Sequence, residues 1–289
     1  MKMVRDGRQG ADSGPPSLEG LAARARDGDR SALEDLVARI QDRIFNLALR
    51  MLWHPEDARD ATQEILIRVA TRLGTFRGES AFLTWAYRVA ANYLLTARAG
   101  HLEVQRLTFE RFGHDLDEGL SDGPLAQKPA IDEALLIEEV KIGCTLGMLS
   151  CLDRSHRLAY ILGEILEIDG PEAARIMNTN TATFRKRLSR ARSDIVTFTK
   201  EKCGLISPDR PCRCRRRVRR ALELGRVDPR HLLFASDLVQ AWRFPAILAE
   251  IRRLEEARRA VALYRSHPDL KAPEALGEKL LQLLDKPHA

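Results

Sequence analysis

The sequence predicts an all-α fold, and two observations lead to this prediction. Apolar residues recur at intervals of three and four along most of the 289-residue chain, which is the spacing of one helix face. Alternating runs of β-branched residues, the usual signal for strands, are missing. The length suits about two domains of ~100 to 200 residues each. We therefore expect two helical domains, a flexible linker between them, and a helical carboxyl-terminal extension.

The first domain is expected over residues 17–99, after a polar tail at 1–16 that we expect to be disordered. We expect Ser31 to cap the amino-terminal end of the first long helix of this domain. Pro55 then opens a second helix with an acidic first turn, which complements the helix dipole. The apolar stripe of the first long helix consists of Leu33, Leu36, Val37, Ile40, Ile44, Leu47 and Met51.

A third helix follows a turn at residues 74–78. Phe82, Trp85 and Val89 recur at intervals of three and four, so these side chains should face the core. Trp85 could stack on separated DNA strands, but its spacing from the other two favours core packing.

Residues 100–131 lose the helical periodicity and are rich in glycine, proline and acidic side chains, so we interpret them as a linker. Helical pattern resumes over 132–200, which we expect to form the second domain. Residues 201–289 form the extension, which begins with a Cys- and Arg-rich break. The extension could gate the second domain, engage a regulator, or act only as a stabilising cap.

The second domain contains a predicted helix-turn-helix. Pro171 opens a short helix, residues 178–180 break it, and Asn180 can cap the next helix. The next helix has two faces, as an inserted DNA-reading helix requires. Its inward face carries Phe184, Leu188, Ala191 and Ile195, and its outward face carries Arg185, Lys186, Arg187, Arg190 and Arg192.

Charge is concentrated around this helix. Residues 175–220 hold fifteen basic and three acidic side chains, a net charge of +12, while the other 243 residues sum to −6. A short basic stretch on an otherwise slightly acidic chain is typical of a surface that binds a polyanion. The same pattern also fits a solvated helix face.

The five cysteines are an odd number in two clusters, which argues against a disulfide framework. Cys203, Cys212 and Cys214 could hold zinc or another thiol-bound metal, with His231 or Cys151 as the fourth ligand. A redox switch is the competing interpretation, since nearby arginines lower the pKa of a thiol. We expect no cofactor to be required.

Three motifs resemble those of bacterial RNA polymerase sigma factors. The helix from Asn180 to Arg192, with sequence NTATFRKRLSRAR, resembles their DNA-recognition helix. Residues 57–64, with sequence DARDATQE, resemble the helix that grips the polymerase. A third set of residues resembles the promoter-opening segment of these proteins. It consists of Phe76-Arg77-Gly78-Glu79-Ser80, Phe82, Thr84-Trp85, Tyr87-Arg88, Ala90 and Asn92. The resemblance spans roughly residues 18–200, which is similar in extent to the compact extracytoplasmic-function (ECF) group.

The resemblance implies a role for each motif. Core RNA polymerase would be bound by Asp57, Asp60, Gln63 and Glu64. Downstream promoter DNA, including the opened single strand, would be bound by Phe76, Arg77, Gly78, Glu79, Ser80, Arg88 and Asn92. The upstream double-stranded element would be read by Thr183, Arg185, Lys186, Arg187 and Arg190. An anti-sigma factor is a further implied partner, and the acidic linker would either mimic nucleic acid or serve as a plain tether.

The implied function is to direct core polymerase to promoters and to assist DNA opening. No catalytic motif appears, so we do not expect an enzyme. No run of ~18 to 20 apolar residues is present, so we expect a cytoplasmic protein without membrane insertion. Two alternatives stay open: a helix-turn-helix regulator that acts without polymerase, and a thiol- or metal-sensing regulator.

Overall fold

The computed structural model describes residues 15–97, 107–123, 131–273 and 276. These residues contain α-helices and no β-strand, which confirms the predicted all-α class. Most of the predicted tail, residues 1–14, lies outside the described residues. The helices are α1 (Leu18–Arg26), α2 (Arg30–Leu52), α3 (Pro55–Thr71), α4 (Phe82–Thr96), α5 (Phe109–Asp117), α6 (Glu133–Ser150), α7 (Arg154–Tyr160), α8 (Gly170–Ile176), α9 (Thr181–Lys202), α10 (Cys214–Glu223), α11 (Leu238–Arg253) and α12 (Glu256–Arg265).

Helices α1 to α4 pack around the predicted apolar stripe of α2. Leu36, Ile40 and Ile44 on α2 are completely buried. The prediction that Ser31 caps this helix is wrong, because α2 begins earlier and Asp29 accepts the hydrogen bond from the Ala32 N–H. A carboxylate in this position also complements the positive end of the helix dipole.

Helices α6 to α9 form the second helical unit. A π-helical turn over Ile161–Ile165 extends α7. Asn178 has φ +49°, a left-handed conformation that ends the short helix α8. Asn180 then caps α9 by accepting a 2.8 Å hydrogen bond from the Thr183 N–H, as the sequence predicted.

The segment predicted as a linker contains a helix. α5 is capped by Thr108 and buries Phe112 and Leu116, which follow the helical spacing of four. The ring of Phe112 stacks on Phe198 of α9 with centroids 5.7 Å apart. Apolar packing therefore fixes this part of the predicted linker, whereas residues 98–106 and 124–130 lie outside the described residues.

The extension folds against both helical units. α10 packs on α6, and α12 packs on α9 and on the π-helical turn. One apolar core runs from α1 through α9 and includes Tyr264 of α12. Among the helices of the described residues, none combines the length and the apolar character that a membrane span requires.

Candidate nucleic-acid interface

Helix α9 is anchored by the face that the sequence predicted to be inward. Phe184, Ala191 and Ile195 are at most 1% exposed, and Leu188 packs against the same core. Leu188 lies over Gly163 in the π-helical turn, where a Cβ atom would approach the Leu188 side chain to 2.7 Å. The close approach of the two segments fixes the orientation of α9 about its own axis.

The opposite face of α9 is exposed and cationic. Arg185, Lys186 and Arg190 are exposed and Arg187 is partly buried, and none of the four makes an ion pair within the described residues. Arg192 differs from the prediction, because its Nε donates a 2.8 Å hydrogen bond to Glu164. The face available to an anion therefore ends before Arg192.

Much of the remaining basic stretch is neutralised within the chain. Acidic side chains of the predicted linker and of α6 pair with its cations, so these groups are not free to bind a polyanion. The pairs are Lys202 with Asp117 at 2.5 Å, Arg215 with Glu133 at 2.9 Å, Arg216 with Asp122 at 2.8 Å, and Arg217 with Asp115 at 3.0 Å. The open cationic surface is thus narrower than the net charge of the sequence indicated.

Helix α3 carries the four side chains that resemblance assigned to polymerase binding. Asp60 is 74% exposed, and its nearest cation is Arg59 at 3.5 Å. Glu64 pairs with Arg68 one helical turn later, at 2.9 Å. Asp57 and Gln63 are partly buried on the same helix. Asp60 is therefore the most accessible carboxylate of this set.

The turn before α4 is divided between core and surface. Arg77, Gly78 and Glu79 are exposed, and Ser80 is partly buried. The resemblance placed Phe76 in contact with DNA, but its side chain is only 8% exposed. The ring of Phe76 packs edge-on against Phe82, because two neighbouring aromatic side chains complete an apolar cluster there.

Trp85 is the third member of this aromatic cluster. Its ring centroid lies 5.7 Å from that of Phe76 and 5.5 Å from that of Phe82. Trp85 is 5% exposed, which confirms the prediction that it is a core residue. Arg88 and Asn92 lie exposed on α4, so two of the predicted downstream-contact residues on this helix are accessible.

Four cysteines line one cavity of about 420 Å³ between α5, α6 and the extension. Cys203 and Cys212 lie opposite each other across an isolated β-bridge, and Cys214 and Cys144 complete the group. Sequence reasoning missed Cys144, since 59 residues separate it from Cys203 and no spacing pattern joins them. Cys151, by contrast, follows α6 directly and its thiol donates a hydrogen bond to the carbonyl of Gly147 on that helix.

These thiols do not have the lowered pKa that the flanking arginines suggested. Burial raises the pKa of Cys212 to about 11 and that of Cys151 to about 12. Burial also raises the pKa of Cys203 and Cys214, and at Cys203 and Cys212 it outweighs the opposing effect of Arg213. Within the described residues, no group of three or more His, Cys, Asp or Glu side chains is arranged to hold a metal ion. Metal binding by Cys203, Cys212 and Cys214 stays a prediction.

Comparison with known proteins identifies the family. A family model described as Sigma-70 region 2 matches residues 36–101. The chain is 31% identical over 178 residues to the RNA polymerase sigma-H factor of Pseudomonas aeruginosa, covering 61% of this chain and 90% of that protein. It is 32% identical over 181 residues to the ECF RNA polymerase sigma-E factor of Escherichia coli, with the same coverage.

Among solved structures, the chain is similar to CnrH in complex with the cytosolic domain of CnrY. The TM-score is 0.41 and the identity is 21%, over 65% of this chain and 96% of that chain. The relatives from P. aeruginosa and E. coli are matched over nine tenths of their own length. The chain therefore belongs to the ECF group of RNA polymerase sigma factors, the subunits that direct RNA polymerase to promoters.

Proposed function

We propose that this sigma factor uses three separate surfaces to start transcription. Helix α3 binds core polymerase through the carboxylates of Asp57, Asp60 and Glu64, of which Asp60 is the most accessible. The exposed side chains around α4 bind the downstream promoter element, and α9 reads the upstream element. The chain performs no chemistry of its own in this proposal, because the polymerase supplies the catalytic site. Double-stranded promoter DNA and the opened single strand are its nucleic-acid partners.

The observation that carries the proposal is the division of α9 into an anchored face and an unpaired cationic face. A recognition helix must be held rigidly while its outer side chains reach base edges and phosphates. Arg185, Lys186, Arg187 and Arg190 meet this requirement, because they project from a helix whose inner face is buried. Arginine can bind guanine through two hydrogen bonds, which lets this face discriminate between bases.

The residues around α4 support a contribution to DNA opening. The exposed turn at Arg77, Gly78 and Glu79 offers backbone and polar groups that could surround an extruded base. Arg88 and Asn92 extend the same accessible surface along α4. Phe76 has a supporting part in this proposal, since its ring belongs to the core beneath the turn.

The acidic face of α3 suits a basic partner surface. Opposite charges across an interface steer association and are weakened by salt. Asp60 and Glu64 lie one helical turn apart, so both can face one partner helix. An anti-sigma factor is a second class of partner in this proposal, and it would act by covering one or more of the three surfaces.

In-vitro transcription with core polymerase tests the proposal. Purified chain, core enzyme and templates from its own genome should give promoter-specific transcripts that core enzyme alone does not produce. The Asp60→Arg variant should bind polymerase more weakly, and the Arg187→Ala/Arg190→Ala double variant should bind polymerase but lose promoter selection. Tight promoter binding by the isolated chain, with no effect of polymerase, would instead favour a regulator that acts without polymerase.

A further inference from the structure

One segment of the extension joins the two helical units. We call residues 264–272 the strap, because they run from the end of α12 across to α2. At the α2 end, the buried side chain of Asn46 pairs with the strap backbone through two hydrogen bonds. Its Nδ2 donates to the carbonyl of Leu270 at 2.7 Å, and its Oδ1 accepts from the Leu270 N–H at 3.0 Å.

Charged side chains on α2 extend this contact along the strap. Asp42 accepts a 2.8 Å hydrogen bond from the Ala272 N–H and forms a 2.8 Å ion pair with Lys271. Arg50, one helical turn beyond Asn46, lies 3.8 Å from Asp269. The strap therefore follows one face of α2 and is bound through its backbone as well as its side chains.

The other end of the strap is fixed to the second helical unit. The hydroxyl of Tyr264 donates a 3.0 Å hydrogen bond to the carbonyl of Thr145 on α6. The Tyr264 ring, which is 2% exposed, packs edge-on against Tyr160. Arg265 forms a 2.9 Å ion pair with Glu167 beyond the π-helical turn.

The strap lies beside a direct contact between α4 and the helix-turn-helix. The hydroxyl of Thr84 donates a hydrogen bond to Glu172 on α8, and Thr84 is 6% exposed. Tyr87, 7% exposed, lines a cavity of about 590 Å³ together with Arg50 and Asp269 of the strap contact. Thr84 of the predicted promoter-opening segment is thus buried at its contact with α8, and Tyr87 of the same segment lies at the cavity that the strap borders.

We propose that the strap is an intramolecular latch that holds the two DNA-binding units together in the free chain. Engagement of polymerase and promoter releases it, so that α4 and α9 can reach separate promoter elements. The proposal rests on the proposed function of these two helices. Release is feasible because the strap's own partners in these ion pairs, Lys271 and Asp269, are 88% and 89% exposed, so water can solvate their charges when the pairs separate.

Zero-length carbodiimide cross-linking tests the latch in the full chain. This reagent joins amines to carboxylates in direct contact, and the Lys271 Nζ lies 2.8 Å from Asp42. The free chain should give a cross-linked peptide pair containing these two residues, detected by mass spectrometry. Lys271→Arg is the matched control, because it retains the positive charge but offers no amine for the reaction.

Addition of core polymerase and promoter DNA should abolish this cross-link. A cross-link that persists in the transcribing complex would overturn the latch. Failure of the chain to bind polymerase at all would instead contradict the proposed function, so the two failures are distinguishable. Absence of the cross-link in the folded free chain would also overturn the latch.

Two variants release the strap from its opposite ends. Asn46→Ala removes both hydrogen bonds to Leu270, and Tyr264→Phe removes only the hydrogen bond to Thr145. Each should lower the cross-link yield, and Asn46→Ala should raise the promoter affinity of the free chain by about tenfold. Circular dichroism and cooperative thermal unfolding check that each variant is folded. Loss of the cross-link with unchanged promoter affinity and unchanged transcription would show that the strap is only a structural cap.

Discussion

The buried guanidinium of Arg157 donates a hydrogen bond to the carbonyl of Met51, at the carboxyl-terminal end of α2. The same guanidinium donates to the carbonyl of Leu149 at 2.9 Å and to that of Leu152 at 2.9 Å. Arg157, on α7 and 2% exposed, therefore satisfies the ends of two helices from different halves of the molecule. Arg157 thus contributes a buried contact between the two helical units, in addition to the shared apolar core and the strap.

Replacement of Arg157 by leucine should lower the free energy of unfolding by about 3 kcal/mol, because several buried carbonyl groups lose their donors. Urea unfolding followed by circular dichroism measures the change. Arg175→Ala is a suitable control, since that side chain is exposed on α8 and should change stability by less than about 0.5 kcal/mol. Equal stability of the two variants would contradict the role of Arg157.

Charge reversal at Asp60 should weaken binding to core polymerase by about tenfold, and the effect should diminish at high salt. The reason is the exposure of this carboxylate on the face of α3 proposed for docking. Glu34→Arg provides a charge-matched control on α2, where Glu34 pairs with Arg30. The affinity of each variant for core polymerase is measured at two salt concentrations. Equal losses of affinity for both variants would exclude a specific role for Asp60.

The Arg187→Ala variant should weaken promoter binding by ~1 to 3 kcal/mol if this side chain reaches a base edge. Arg192→Ala removes the same charge from the same helix, but Arg192 is already engaged by Glu164 and should contribute little. Fluorescence anisotropy measures the affinity of each variant for a promoter duplex and for a duplex of scrambled sequence. A similar loss for both variants on both duplexes would indicate binding by net charge alone.

Acid should destabilise the strap contact through His267. Burial, with contributions from Lys141 and Arg50, lowers the pKa of His267 well below its usual value of 6.5. The unfolded chain therefore binds a proton at a pH where the folded chain does not, and stability is lost as the pH falls below about 6.5. The slope from this group is ~1.4 kcal/mol per pH unit.

Urea unfolding at pH 7 and at pH 5 tests this expectation, with His267→Gln as the comparison. The variant should lose less stability than the native sequence between these two values. Asp153 does not interfere, although its pKa is also shifted. Burial opposes its ionisation, but hydrogen bonds with His156 and Ser155 lower its pKa to about 2, so it responds only below about pH 4. Equal pH dependence of both proteins would contradict the prediction.

The cysteines should react slowly with iodoacetamide at pH 8 while the chain is folded. Only the thiolate reacts, and burial raises the pKa of Cys212 to about 11, which leaves roughly one thiolate in a thousand. All five cysteines should become alkylated after unfolding in urea. Mass spectrometry over time gives the rates, and alkylation of folded Cys212 at the rate of free cysteine would favour the redox interpretation.

Local patterns predicted the helical elements and the two faces of α9 well. Phe184, Ala191 and Ile195 are buried as their spacing required, and Asn180 caps the helix as its residue type required. Capping and apolar periodicity act within a few residues, so the sequence records them directly. The same local signal, Phe112 and Leu116 four residues apart, was present in the predicted linker but was obscured by the surrounding glycines and acidic residues.

Site assignments were less complete, because exposure and pairing depend on distant residues. Phe76 lies in the motif that resembles a DNA-binding turn, yet it is buried against Phe82 and Trp85. Arg192 has the spacing of the exposed face of α9, yet its guanidinium donates a hydrogen bond to Glu164. Neither outcome can be read from helical periodicity, which reports the face of a residue but not its partner.

The sequence by itself determined an all-helical chain, the capped and two-faced recognition helix, and the motifs that place the chain among sigma factors. Tertiary structure decided which cations make no ion pair within the described residues, how burial raises the pKa of the thiols, and how the strap joins the two helical units. The physical reason is the distance along the sequence between the residues that make contact. Asn46 and Leu270 are 224 residues apart in the sequence but share two hydrogen bonds, and no local pattern encodes a contact of that separation.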